Sequence, residues 1–234
     1  MFHRSRAYAT PTQQDQAQQY SDVVSEADIE RIKMRLAALT KLGCLLEVGC
    51  GQGTYTQVVL PATCEVYATD ISEDMVAVSR QRFEQDGKVT VEKVDCLALP
   101  YEDASMDSVL MVNLIHIIAT PERAIAEAFR VLKPGGRLII ASYTEHQMTL
   151  WQRFLLKQRN RKYQMKRSMY HRVMSPVIAQ QLTSRAGFIS PYSEMLGYQV
   201  KTLFHIAEKP QSVRKVKPVT VKAMSAQPAN PELA

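Results

Sequence analysis

The stretch Leu45-Leu46-Glu47-Val48-Gly49-Cys50-Gly51-Gln52-Gly53-Thr54 constrains the fold more than any other part of the chain. A short apolar run ends in three glycines at alternate positions, and a helix can start at Thr54. The backbone must therefore turn sharply and can approach a ligand closely. Such a strand, turn and helix form the opening unit of a wound α/β sheet. The rest of the sequence keeps that rhythm. A helix capped by Ser25 or Asp28 would set Ile29, Ile32, Met34, Leu36 and Leu39 on one face. Strands are expected at residues 44–48, 65–70, 90–94, 108–112 and 137–142, and helices from Thr54, from Ser72 and over 121–132. Pro134-Gly135-Gly136 should stop the last of these helices and turn the chain into the next strand. A helix over 175–185 and two strands, 188–192 and 200–207, should close the pattern as an antiparallel hairpin. The expected fold is α/β: a doubly wound, mostly parallel seven-stranded sheet with an antiparallel C-terminal edge hairpin and a helical cover.

With 234 residues, 46% hydrophobic and 22% charged, the chain can bury one large core, which excludes a disordered or fibrous class. Its longest apolar run, 109–119, is broken by Asn113 and His116 and falls short of the ~20 residues of a membrane-crossing helix. Cys44, Cys50, Cys64 and Cys96 never form a CxxC pair, so free thiols are expected and no metal. The formal charge of +6 hides a division. Residues 1–145 carry 14 Lys and Arg against 20 acids, whereas 146–193 carry nine and no acid. Residues 1–19 read as a disordered segment and 209–234 as a flexible basic tail, leaving a domain over 20–208 with a basic helical cover at 146–186. The expected location is cytoplasmic, with a mitochondrial alternative suggested by Arg4, Ser5 and Arg6.

Ligands of doubly wound sheets bind at the carboxyl ends of the strands, and the unusual polar residues fall there. The third glycine comes one residue earlier than in the dinucleotide pattern and Glu47 lies two residues before the first, which disfavours a pyrophosphate. Asp70 ends the second strand, where a carboxylate can accept from ribose hydroxyls. Asp95 ends the third and can accept from an exocyclic amine. A cationic ligand with a ribose, an amino-purine and a carboxylate fits this set, and S-adenosylmethionine is one.

These segments, with Asp95-Cys96-Leu97-Ala98-Leu99-Pro100, Ser105-Met106-Asp107-Ser108-Val109 and Arg130-Val131-Leu132-Lys133-Pro134-Gly135-Gly136, resemble the ordered motifs of class I S-adenosylmethionine-dependent methyltransferases over residues 43 to about 143. The resemblance is nearest to the ubiquinone and menaquinone methyltransferase branch. It implies S-adenosyl-L-methionine as cofactor and a Rossmann-like fold. The loop of Gly49, Cys50, Gly51 and Gly53, with Glu47 before it, would pass under the methionine part. Asp70 would hold the ribose and Ile71 would pack on the adenine. Asp95 and the Cys96 backbone N–H would read the adenine edge, Asn113 would offer a carbonyl to the methionine amino group, and Tyr20 would close over the cofactor. His116, with Tyr143 as a second candidate, would either face the acceptor and act as base or be a packed histidine between Ile115 and Ile117.

The basic segment is expected to be a mostly helical lid over 148–174, with Trp151 and Phe154 lining an acceptor pocket and its cations facing an anionic membrane or an acidic partner. Nucleic acid is less favoured, because no (D/N)PPY stands at Val112-Asn113-Leu114-Ile115. The expected function is methyl transfer to a small molecule. The alternatives are a protein or RNA methyltransferase, or a non-catalytic binding protein on the same fold.

Overall fold

A computed structural model describes residues 24–162 and 170–211. Tyr20, the segment 1–19, and residues 212–234 of the tail lie outside the described residues. The elements run α1 Glu26–Ala37, β1 Gly43–Val48, α2 Thr54–Val59, β2 Thr63–Asp70, α3 Glu73–Arg82, β3 Val89–Lys93, β4 Met106–Val112, α4 Pro121–Val131, β5 Leu132–Thr144, α5 Leu150–Lys162, α6 Pro176–Arg185, β6 Ile189–Leu196 and β7 Lys201–Glu208. They build one seven-stranded sheet in the order β3-β2-β1-β4-β5-β7-β6. The first five strands are parallel neighbours, and β7 runs antiparallel to both β5 and β6. The order reverses between β1 and β4, so the ends of these two strands form the crevice in which such sheets bind ligands.

The β1 side chains Leu45, Leu46 and Val48 and the β4 side chains Val109, Leu110 and Met111 are all buried. Helices cover both faces, which is why these strands read as apolar runs rather than alternating ones. Ser25 caps α1 by accepting from the Asp28 N–H, Ile32 and Leu36 form its inner face, and Leu39 is buried just beyond its end. Met34, expected on that face, is exposed, because it falls on the opposite side of the turn from Ile32 and Leu36. α4 ends at Val131, and β5 already includes the Pro134-Gly135-Gly136 turn. The expected stop is therefore a kink inside a strand. Gly135 takes φ +80°, its N–H donates to the Lys209 carbonyl, and the Lys209 N–H donates to that of Gly136.

Lys209 does not begin a loose tail. Its ammonium donates to the carbonyls of Phe129 and Leu132, both at 2.7 Å, closing the C-terminal end of α4 where cations are favoured. Near the other end of the chain, Asp28 is buried and its carboxylate accepts the backbone N–H groups of Tyr198 (2.6 Å), Gln199 (3.0 Å) and Val200 (2.9 Å). This ties the start of α1 to the β6–β7 turn. Among the described residues no helix is long and apolar enough to cross a membrane.

Candidate active site

The glycine loop is held from beneath by β2. The Gly49 and Cys50 N–H groups both donate to the Thr69 carbonyl, at 2.7 and 2.8 Å, and the Thr69 hydroxyl donates to the Glu47 carbonyl. Gly49, Gly51 and Gly53 all take positive φ, +76°, +55° and +76°, a region that other residues enter at a cost. Their surroundings differ. A side chain at Gly49 would meet Leu114, and one at Gly53 would collide with the Phe83 ring, whereas nothing lies within 4 Å of a Cβ built on Gly51. Gly51 is the position whose open side can receive a ligand. α2 has only six residues, so the field of its dipole is weak and the loop's own amides dominate the local polarity.

Asp70 fastens this loop to the next helix. Its Oδ2 accepts the Gly51 N–H and its Oδ1 the Ser72 N–H, both at 2.9 Å, and each oxygen keeps a further lone pair. Ile71 is 66% exposed beside it, an apolar side chain that the protein itself leaves uncovered. The Asp70 carbonyl receives the Val94 N–H, which brings the Asp95 loop alongside. Asp95 is exposed and shapes its own turn by accepting the Leu97 N–H at 2.9 Å. The Cys96 thiol is pushed up to about 11 by burial and by Asp95, and burial raises Cys50 as well, so neither is a ready thiolate.

Glu47 lies at the loop's base and is completely buried. The Thr56 hydroxyl donates to its Oε2, while its Oε1 has no hydrogen-bond partner. Burial pushes this carboxyl up to about 8 against the opposing effect of Thr56, with Asp70 adding to the rise. A buried carboxyl with an oxygen unused, next to an open glycine cradle, is what a ligand carrying an ammonium or sulfonium charge would complete.

Asn113 directly follows β4 and takes φ +56°. Its N–H donates to the Ala141 carbonyl, and its side-chain oxygen accepts the Tyr143 N–H at 3.1 Å, which extends the ladder to β5 by a side chain. The Tyr55 phenol hydrogen-bonds the Tyr143 and Asn113 side chains, and burial raises its pKa. Tyr55 was not among the residues expected from the sequence. Its position in the first turn after the glycines was the only available signal. His116 is 2% exposed, its Nδ1 is 2.9 Å from the Ser142 hydroxyl, and its ring meets His171 edge-on at 5.6 Å. Burial, with His171 beside it, lowers it to about 4, so the ring is neutral at physiological pH.

The structure thus gathers Glu47, Gly49, Gly51, Gly53, Asp70, Ile71, Asp95, Cys96 and Asn113 along one rim of the sheet. The cover is different. α5 has no buried residue and turns Gln152, Leu156 and Arg159 toward the body, where Gln152 donates to the Tyr198 carbonyl. Trp151 and Phe154, expected inside a pocket, are 66% and 48% exposed and stack on each other at 5.5 Å. Residues 170–174 are not helical, and 163–169 lie outside the described residues.

Residues 46–140 match the family model described as a methyltransferase domain. The demethylmenaquinone methyltransferase of Clavibacter sepedonicus is 33% identical over 100 residues, 43% of this chain and 41% of that protein. The 27-O-demethylrifamycin SV methyltransferase of Amycolatopsis mediterranei is 32% identical over 126 residues, 48% of this chain and 44% of that protein. The chain therefore spans less than half the length of these curated relatives. A crystal structure from Thermotoga maritima, described as a SAM-dependent methyltransferase, possible histamine N-methyltransferase, superposes with TM-score 0.64 at 23% identity, covering 83% of this chain and 95% of that one. The glycine loop, the aspartates at and just after the ends of β2 and β3, and the strand order thus agree with the Rossmann-like methyltransferase fold, and residues 46–140 match a methyltransferase domain.

Proposed function

We propose that this chain binds S-adenosylmethionine on the β1–β4 rim and transfers its methyl group to a small-molecule acceptor. The observation that carries the reading is the coincidence of a glycine cradle open only at Gly51 with a buried, half-partnered Glu47. Bound S-adenosylmethionine supplies an electrophilic methyl on a sulfonium. The chain's own residues hold and orient. Gly49 to Gly53 and Glu47 would take the methionine part, Asp70 the ribose hydroxyls, Ile71 the face of the adenine, and Asp95 with the Cys96 N–H its edge. Asn113 and Tyr55 stand where the methionine amino group and the acceptor would meet.

An in-line displacement depends mainly on placing donor and acceptor in register, and rigid strand ends are suited to that. His116, walled in by Ser142 and His171, contributes packing and a fixed neutral ring; a role as base would require the acceptor to reach it. The names of the relatives support a small-molecule acceptor, since demethylmenaquinone and 27-O-demethylrifamycin SV are both small molecules.

Calorimetric titration with S-adenosylmethionine and its demethylated product tests the binding half. Asp70→Ala should weaken both by about 1.5 to 3 kcal/mol for each charge-assisted hydrogen bond lost, and unchanged affinity would exclude the ribose assignment. Incubation of the protein with labelled cofactor and a metabolite extract tests the transfer half, with a labelled small molecule as the expected product. Label found only on protein or RNA would instead favour a macromolecular acceptor.

A further inference from the structure

We propose that the outward face of α5 is a docking surface for an anionic phospholipid bilayer. The helix lies on the protein by Gln152, Leu156 and Arg159, and Arg159 donates to the Gln199 side chain. On the far side Leu150 is 84% exposed, and Trp151 and Phe154 stack in the open. Three large apolar side chains on one exposed arc form a patch that soluble surfaces seldom tolerate without a partner. Lys157 and Arg161 border this arc at helical spacing, both exposed.

The charge pattern selects the occupant. No Asp or Glu occurs from residue 146 to 193, so the whole neighbourhood in sequence is cationic or neutral. A protein partner would be expected to meet some charge of the opposite sign, whereas an anionic headgroup layer needs only cations beside an apolar wedge. Trp and Phe settle at the level of the headgroups, with Lys and Arg reaching outward from their stems. Adsorption through α5 does not depend on methyl transfer, and vesicle binding reads it alone.

Trp151 is the only tryptophan in the chain, so its emission reports this contact directly. The whole protein is titrated with phosphatidylcholine vesicles, with and without about one-third phosphatidylglycerol. The expected result is a blue shift and quenching by brominated acyl chains with the anionic vesicles only, reversed by high salt. Phe154→Ser should weaken partitioning severalfold. Lys157→Glu with Arg161→Glu should weaken it at least about twenty-five-fold, at about fivefold per cation, and this pair removes no apolar contact should the first variant disturb the helix.

Unshifted emission with anionic vesicles would overturn the proposal. So would sedimentation with vesicles while Trp151 stays unquenched, since another part of the chain would then be the anchor. A shift produced by an acidic peptide or an RNA oligonucleotide, with none from vesicles, would overturn it in favour of a macromolecular partner.

Discussion

The glycine-loop rim and the α5 cover use side chains in opposite ways. Along the rim almost every polar group is fixed by backbone: Asp70 by two N–H groups, Asn113 by Tyr143 and Ala141, and Thr69 by Glu47 and the loop. On α5 the largest side chains are exposed and stack on each other. A site that must hold a reactive pair in line is over-determined by its scaffold, whereas a surface that meets a partner can remain under-determined until contact.

The largest expected effect lies outside both regions, at the tie between the start of α1 and the β6–β7 turn. Asp28→Ala would leave three backbone N–H groups without a charged acceptor and should cost about 3 to 5 kcal/mol in denaturant unfolding. Burial alone would raise the Asp28 pKa, but the N–H groups of Tyr198, Val200 and Gln199 and the Ser25 hydroxyl together lower it. A carboxyl held lower in the folded state than in the unfolded one contributes stability that is fully present above about pH 4 and is lost as pH falls through the folded value. Asp28→Asn should flatten stability against pH in that acidic window and leave it unchanged at neutral pH apart from a constant offset.

Next in size, Gly51→Val should reduce affinity for S-adenosylmethionine more than a hundredfold, about 3 kcal/mol, by filling the open side of the cradle. Its cost in folding should be only the ~1 to 2 kcal/mol of positive φ. Gly53→Val would reverse that balance, because its Cβ would lie 2.4 Å from the Phe83 ring, and should fail in folding first. If the two variants behaved alike, the distinction between cradle and scaffold would be lost.

A smaller effect belongs to Glu47. Its pKa of about 8 in the folded protein lies above the unfolded one, so its contribution to stability is present at acid pH and fades as pH rises through 8. A cationic ligand favours the ionised form. Affinity for S-adenosylmethionine should therefore tighten as pH rises from 6 toward 8, by up to roughly tenfold per unit, with proton release visible as a dependence of the calorimetric heat on buffer. Glu47→Gln should abolish both. The smallest effect is expected from Trp151→Ala with Phe154→Ala, which should leave thermal stability within about 0.5 kcal/mol and cofactor affinity unchanged. A large loss of either would make the exposed aromatics part of the core or of the rim.

The same contrast explains what could be read from the sequence. Glycine positions, strand ends and the acids that follow them were legible because each answers a backbone requirement that few residues satisfy. Thus Gly51, Asp70 and Asn113 all fall on the rim where the motifs placed them. Tyr55 and Asp28 were missed as functional positions because their partners, Tyr143 with Asn113 and residues 198–200, are distant in sequence. The inward placing of Trp151 and Phe154 failed for a different reason. Apolar composition says that a helix has a greasy side, not whether that side faces the protein, and only Gln152, Leu156 and Arg159 together show which way α5 lies. The kink at Gly135 was misread as a stop because its pairing partner, Lys209, lies 74 positions onward.

The Asp28 tie also sets an order of assembly. β7 lies between β5 and β6, and the carboxylate of α1 waits for N–H groups of the turn just before β7. A chain emerging from the ribosome can pair β1 to β5 and shape the glycine loop long before residues 198–208 exist, but it cannot seat α1 or close the sheet. Contacts that reach across some 170 positions form late, because closing so long a loop carries an entropic cost that local contacts do not. The early intermediate would expose the edge of β5, the strand most in need of a neighbour. Chaperone dependence during synthesis should accordingly concentrate in the interval between completion of β5 and arrival of β7.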